Sequence, residues 1–100
     1  MPLTGKQRRF LRALGHALDP VVTIGAGGVS EAVVQELAGA LQAHELVKVR
    51  MLRTAPQQRA EAAAELARRA GADVAQVLGR TALLYKARRK DPAIKLPPAP

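Results

Sequence analysis

One hundred residues with 48% hydrophobic and 24% charged side chains describe one globular domain with a modest core, leaving little room for a second domain or a deep catalytic cleft. The absence of cysteine excludes disulfides, thiolate nucleophiles and the usual zinc clusters, and suits a reducing, cytoplasmic setting. A net charge of +8 and an isoelectric point near 11.2 describe a surface that attracts polyanions and repels basic partners.

The stretch Thr4-Gly5-Lys6-Gln7 has the spacing of a capping box and predicts a helix beginning there. Phe10, Leu11, Leu14, Ala17 and Leu18 form its apolar side, Lys6, Arg8, Arg9 and Arg12 fill the rest, and Asp19-Pro20 ends it. Those four cations interrupt every apolar run near the start, so neither a signal peptide nor a membrane span is expected. Val21-Val22-Thr23-Ile24, β-branched and apolar on both faces, predicts a buried strand broken by Gly25-Ala26-Gly27-Gly28. Ser30 is placed to cap a second helix, with Glu31 in its first turn and Val33, Val34, Leu37, Ala40, Leu41 and His44 as its apolar arc.

In the next run Val47, Val49 and Met51 alternate with Lys48 and Arg50, the period of a strand with one buried and one basic face. A third helix over about 57–70 buries Ala63, Leu66, Ala67 and Ala70, pairs Glu65 with Arg69, and ends at Gly71. Two short apolar runs at 74–78 and 82–86, separated by Gly79-Arg80, predict an antiparallel hairpin. Lys86, Arg88, Arg89 and Lys90 then lead into prolines at 92, 97, 98 and 100, the composition of an extended or disordered tail. The expected architecture is α/β: one compact domain over 1–88 with elements in the order α-β-α-β-α-β-β and a small mixed four-stranded sheet, then a basic, proline-rich tail over 89–100.

Charge is concentrated at the two ends, residues 1–20 carrying +3 and residues 76–100 carrying +5. Between the first strand and the second helix, Gly25-Ala26-Gly27-Gly28 offers close backbone approach and free amides, a setting that favours phosphate. It fails as a dinucleotide fingerprint, whose third glycine would fall at Ser30, and as a P-loop, which needs Gly-Lys-Ser/Thr. It fits the G-x-x-G loop that clamps a single-stranded backbone in KH-type modules, although by itself the tetrapeptide fits a plain strand-to-helix turn better. His16 and His44 have no partner acid or cysteine at ligand spacing and read as structural, Ser30 reads as a cap, and Tyr85 as core. No catalytic residue, metal site, cofactor or small-molecule substrate is expected.

Val22-Thr23-Ile24-Gly25-Ala26-Gly27-Gly28-Val29-Ser30-Glu31, His44-Glu45-Leu46-Val47-Lys48-Val49-Arg50, Leu78-Gly79-Arg80-Thr81 and Leu84-Tyr85-Lys86 occur in one order. Together with the opening Leu3-Thr4-Gly5-Lys6-Gln7-Arg8 they resemble the CRM (chloroplast RNA splicing and ribosome maturation) domain, in its stand-alone bacterial, YhbY-like form, over about residues 3–88. The resemblance implies a fold akin to the C-terminal domain of bacterial initiation factor three. It also implies RNA binding through the G-x-x-G loop and adjacent basic surface, and association with ribosomal RNA in precursors of the large subunit. Ala26 and Gly27 stand where the family commonly carries a polar or basic residue, which leaves backbone contacts at the loop and shifts the side-chain contacts to Lys48, Arg50, Arg80, Lys86 and the Lys6/Arg9 side of the first helix. The expected protein is a non-enzymatic, monomeric RNA binder that does not engage membranes. A module docking an acidic protein partner is the alternative.

Overall fold

The computed structural model describes residues 3–98. Its elements are α1 (Gly5–Gly15), β1 (Pro20–Ile24), α2 (Glu31–His44), β2 (Leu46–Met51), α3 (Arg59–Ala70), β3 (Asp73–Leu78) and β4 (Thr81–Tyr85), the α-β-α-β-α-β-β order of an α/β domain. The local signals act where the sequence places them. Thr4 Oγ1 accepts from the Gln7 N–H at 3.1 Å while Gln7 Oε1 accepts from the Thr4 N–H at 3.0 Å, closing the capping box. Ser30 Oγ accepts from the Val33 N–H, and Gly71 caps α3 in the left-handed region.

The four strands lie in the order β1-β2-β4-β3, with β1 and β2 parallel and both other pairs antiparallel. Because β2 alternates, it feeds both faces of the sheet. Val47, Val49 and Met51 join Val22, Ile24, Leu84 and the inner sides of α2 and α3 in the main core. Leu46 turns to the other face, where Leu11 of α1, Leu83 and Tyr85 make a smaller core. The result is three layers: α2 and α3, the sheet, and α1.

Three expectations need correction on the α1 side, the first being its length: the helix stops at Gly15, with His16 as its C-cap, rather than running on to Asp19-Pro20. The helix buries Leu11 and Gly15, whereas Phe10 and Leu14 are 38% and 41% exposed and Ala17 is exposed too. Gly15 sets this orientation, since a Cβ there would run into the Leu83 side chain, and so the helix rests on the sheet along its glycine edge. Nor is β1 buried on both faces. It is an edge strand whose Val22 and Ile24 face the main core, while Val21 is 55% exposed because α1 packs over β2 and β3 and leaves β1 uncovered.

The tail is extended and tied down by Glu45. This residue lies just past α2 at φ 62°, a conformation that costs a non-glycine residue about 1–3 kcal/mol. Its fully buried carboxylate accepts from the backbone N–H groups of Arg88 (2.8 Å), Ala93 (2.7 Å) and Ile94 (2.8 Å). Burial alone raises the carboxyl pKa. The N–H donors of Arg88, Ile94 and Ala93 and the charge of the Arg88 guanidinium outweigh it, holding the group below its ordinary 4.5. Anchored in this way, Ile94 and Leu96 pack on the smaller core, and Pro97 O accepts from Gln7 Nε2 at 3.0 Å.

Candidate functional site

Parallel pairing of β1 and β2 brings the β1–α2 loop and the β2–α3 loop to the same end of the sheet. The Leu52 N–H donates to Ile24 O at 2.9 Å, and the Met51 N–H donates to Arg80 O at 2.7 Å, so the glycine loop, the end of β2 and the β3–β4 hairpin form one surface. Gly25–Gly28 is a tight turn: the Gly28 N–H donates to Gly25 O and the Ser30 N–H to Gly28 O, both at 2.9 Å. Gly28 is the position that demands glycine. Its φ is +68°, and a Cβ would lie 3.1 Å from both Pro56 and the Gln57 side chain. A Cβ on Gly27 would meet nothing. Ala26 and Gly27 are exposed, and their N–H groups find no acceptor among the described residues.

The loop is braced from behind by α3. Arg69 Nη1 donates to Val29 O at 2.6 Å, Nη2 pairs with Glu31 at 2.9 Å, and Glu65 lies 3.5 Å from Nη1. Glu65 in turn accepts from Gln57 Nε2 at 2.7 Å, so the same network holds the segment that packs on Gly28. The turn is therefore pre-formed, and its two unpaired amides belong to exposed residues four and five positions before α2 begins at Glu31.

Of the residues the sequence singles out, Gly25, Ala26, Gly27, Gly28, Arg50 and Arg80 come together at this end. Arg50 is exposed, opposite Thr23 on β1 and Thr81 on β4. Lys48 lies on the same face of β2, about 7 Å further from the loop, in register with Leu83. Lys86 is not part of the group. It follows Tyr85 at the opposite end of β4, about 16 Å along the strand from Thr81, and its Nζ donates to Ala70 O at the C-terminus of α3. Lys6 and Arg9 are exposed on the first turns of α1, the end held to the tail by the bond from Gln7 to Pro97. The α1 cation that approaches the loop end is Arg12, which shares a crevice with His16, Lys48, Leu78 and Thr81. Sequence reasoning also missed Arg53, in the turn after β2, and Arg59, at the start of α3 beside Gly79. The signal that finds them is topological: in a parallel β-α-β unit, both strand-to-helix loops exit on one side.

With this geometry in hand, the comparisons with known proteins fall into place. The chain matches the CRS1 / YhbY (CRM) domain family over residues 3–86, and it belongs to that family. It is 38% identical over 95 residues to the probable RNA-binding protein YqeI of Bacillus subtilis, covering 95% of this chain and 99% of the relative. An RNA-binding protein of Haemophilus influenzae is 34% identical over 84 residues, 84% of this chain and 85% of the relative. Among solved structures, a hypothetical Staphylococcus aureus protein described as a candidate RNA binder superposes with a TM-score of 0.82 at 35% identity, over 95% of this chain and 99% of that one.

Proposed function

We propose that this protein binds RNA, clamping a single-stranded backbone at Gly25–Gly28 and holding flanking phosphates with Arg50, Arg80 and Lys48, and that its target is ribosomal RNA in precursors of the large subunit. The observation that carries the reading is the convergence of the two unpaired loop amides with Arg50, Arg53, Arg59 and Arg80 at one end of the sheet. Successive unpaired backbone N–H groups in a turn favour an anion, and guanidiniums that are not used inside the fold are available to neutralise it. RNA suits this surface better than duplex DNA, because a loop and strand face offers no basic recognition helix for a major groove. The relatives named as RNA-binding proteins support the class of ligand, and the family resemblance supports the ribosomal target. The role needs no catalytic step.

Gly27→Asp tests the clamp, since the position has room for the side chain and the fold should survive, as circular dichroism will show. We expect RNA affinity to fall about tenfold or more, some 1.4 kcal/mol, with a preference for RNA over duplex DNA in the parent protein across a salt series. Equal binding of all polyanions, unaffected by Gly27→Asp, would overturn the clamp. For the ribosomal target, the tagged protein should co-sediment with large-subunit precursors. Sedimentation only as free protein would remove that part of the proposal.

A further inference from the structure

On the α1 face, with Lys48 in its lining, lies a groove of about 440 Å³ whose apolar part the backbone clamp does not use. Its apolar lining comes from Leu14 and Leu18, from Val21 of the uncovered edge strand, from Leu46 and from Ile94 of the tail. Leu14 and Val21 are 41% and 55% exposed, so the groove is apolar surface open to solvent. Its polar lining includes one ammonium, Lys48, and one carboxylate, Asp19, with His44 also present.

We infer that this groove receives an unpaired nucleobase of the RNA whose backbone is held at the glycine loop, an inference that rests on the RNA-clamp reading. Three observations favour this occupant. Lys48 and Arg50 share one face of β2, so the track of positive charge from the loop runs along the strand into the groove without crossing the sheet. The apolar walls suit the flat face of a base, which loses water-exposed area there much as it does on an aromatic platform. Finally, pairing one carboxylate with one ammonium matches a neutral ring that bears N–H donors and is attached to a phosphate. An acidic peptide would face Asp19 as a like charge. Asp19 is placed to accept from an exocyclic amine, and Lys48 to hold the adjoining phosphate.

The test compares a short single-stranded RNA with an abasic ribose-phosphate oligomer of the same length, which keeps every phosphate and lacks the bases. The parent protein is expected to prefer the intact RNA roughly five- to tenfold. The double variant Leu14→Gln/Val21→Thr alters two exposed positions while keeping helix and strand propensity, and should abolish that preference without changing affinity for the abasic oligomer or the salt dependence. Gly27→Asp should weaken both oligomers alike, so failure of the backbone clamp shows separately as indifference of both to that substitution. Equal binding of the two oligomers by the parent protein, or a preference that persists in the double variant, overturns the nucleobase site and leaves the groove to a protein partner.

Discussion

The two ends of the sheet are both basic, yet their cations do different things. At the tail end, Arg88 places its guanidinium on Gln42 O, Ala43 O and Asp91 O, closing off the last carbonyls of α2, and Lys86 does the same for α3 through Ala70 O. At the loop end, the guanidinium groups of Arg50, Arg53 and Arg80 have no hydrogen-bond or ion-pair partner among the described residues. Formal charge is thus a poor guide to a binding surface. What counts is whether a cation has already been used by the fold.

The largest expected effect lies at the tail end. Glu45→Ala would leave three part-buried N–H groups without their carboxylate acceptor and uncap the turn that holds the tail, and it should lower unfolding free energy by about 3 kcal/mol in urea denaturation. Hydrogen exchange at Ala93 and Ile94 should accelerate with it. Unchanged stability would mean that the tail does not depend on this anchor. Gly15→Ala should cost about 1–3 kcal/mol by overpacking against Leu83, a loss that a loop-end change such as Arg80→Ala would not reproduce.

The pH dependence follows from Glu45 as well. Its folded pKa is held below the ordinary 4.5, so its contribution to stability is complete above that value and is lost as pH falls toward the folded value. Urea midpoints should therefore decline below pH 4.5, with a shallower decline in Glu45→Gln. An identical decline in both would assign the acid sensitivity to other carboxylates. The smallest effect sharpens the comparison most. Arg50→Ala and Arg80→Ala should each reduce the slope of log affinity against log salt by about 0.7, whereas Lys86→Ala should leave it unchanged. A reduced slope for Lys86→Ala would place phosphate at both ends of the sheet.

Much of the fold was legible because its signals are local. The capping box at Thr4, the cap at Ser30, the alternation of Val47, Val49 and Met51 and the turn at Gly79 each act within a few residues, and each lies where expected. The candidate site was legible in part. Its glycine loop and Arg50 could be read from spacing, but the exposure of Leu14 and Val21 could not, because it depends on which strand α1 happens to cover.

The sequence by itself therefore determined the element order, the helix caps at Thr4, Ser30 and Gly71, the hairpin and the loop on which the proposed clamp is built, since caps, turns and periodicities are short-range effects. Only the tertiary structure decided which charges are free. Glu45 meets Ala93 at a separation of 48 residues, Arg69 reaches Val29 across 40, and Lys86 and Arg88 are committed to the ends of helices far away in the chain. No local pattern encodes such meetings, because they arise from how the layers pack.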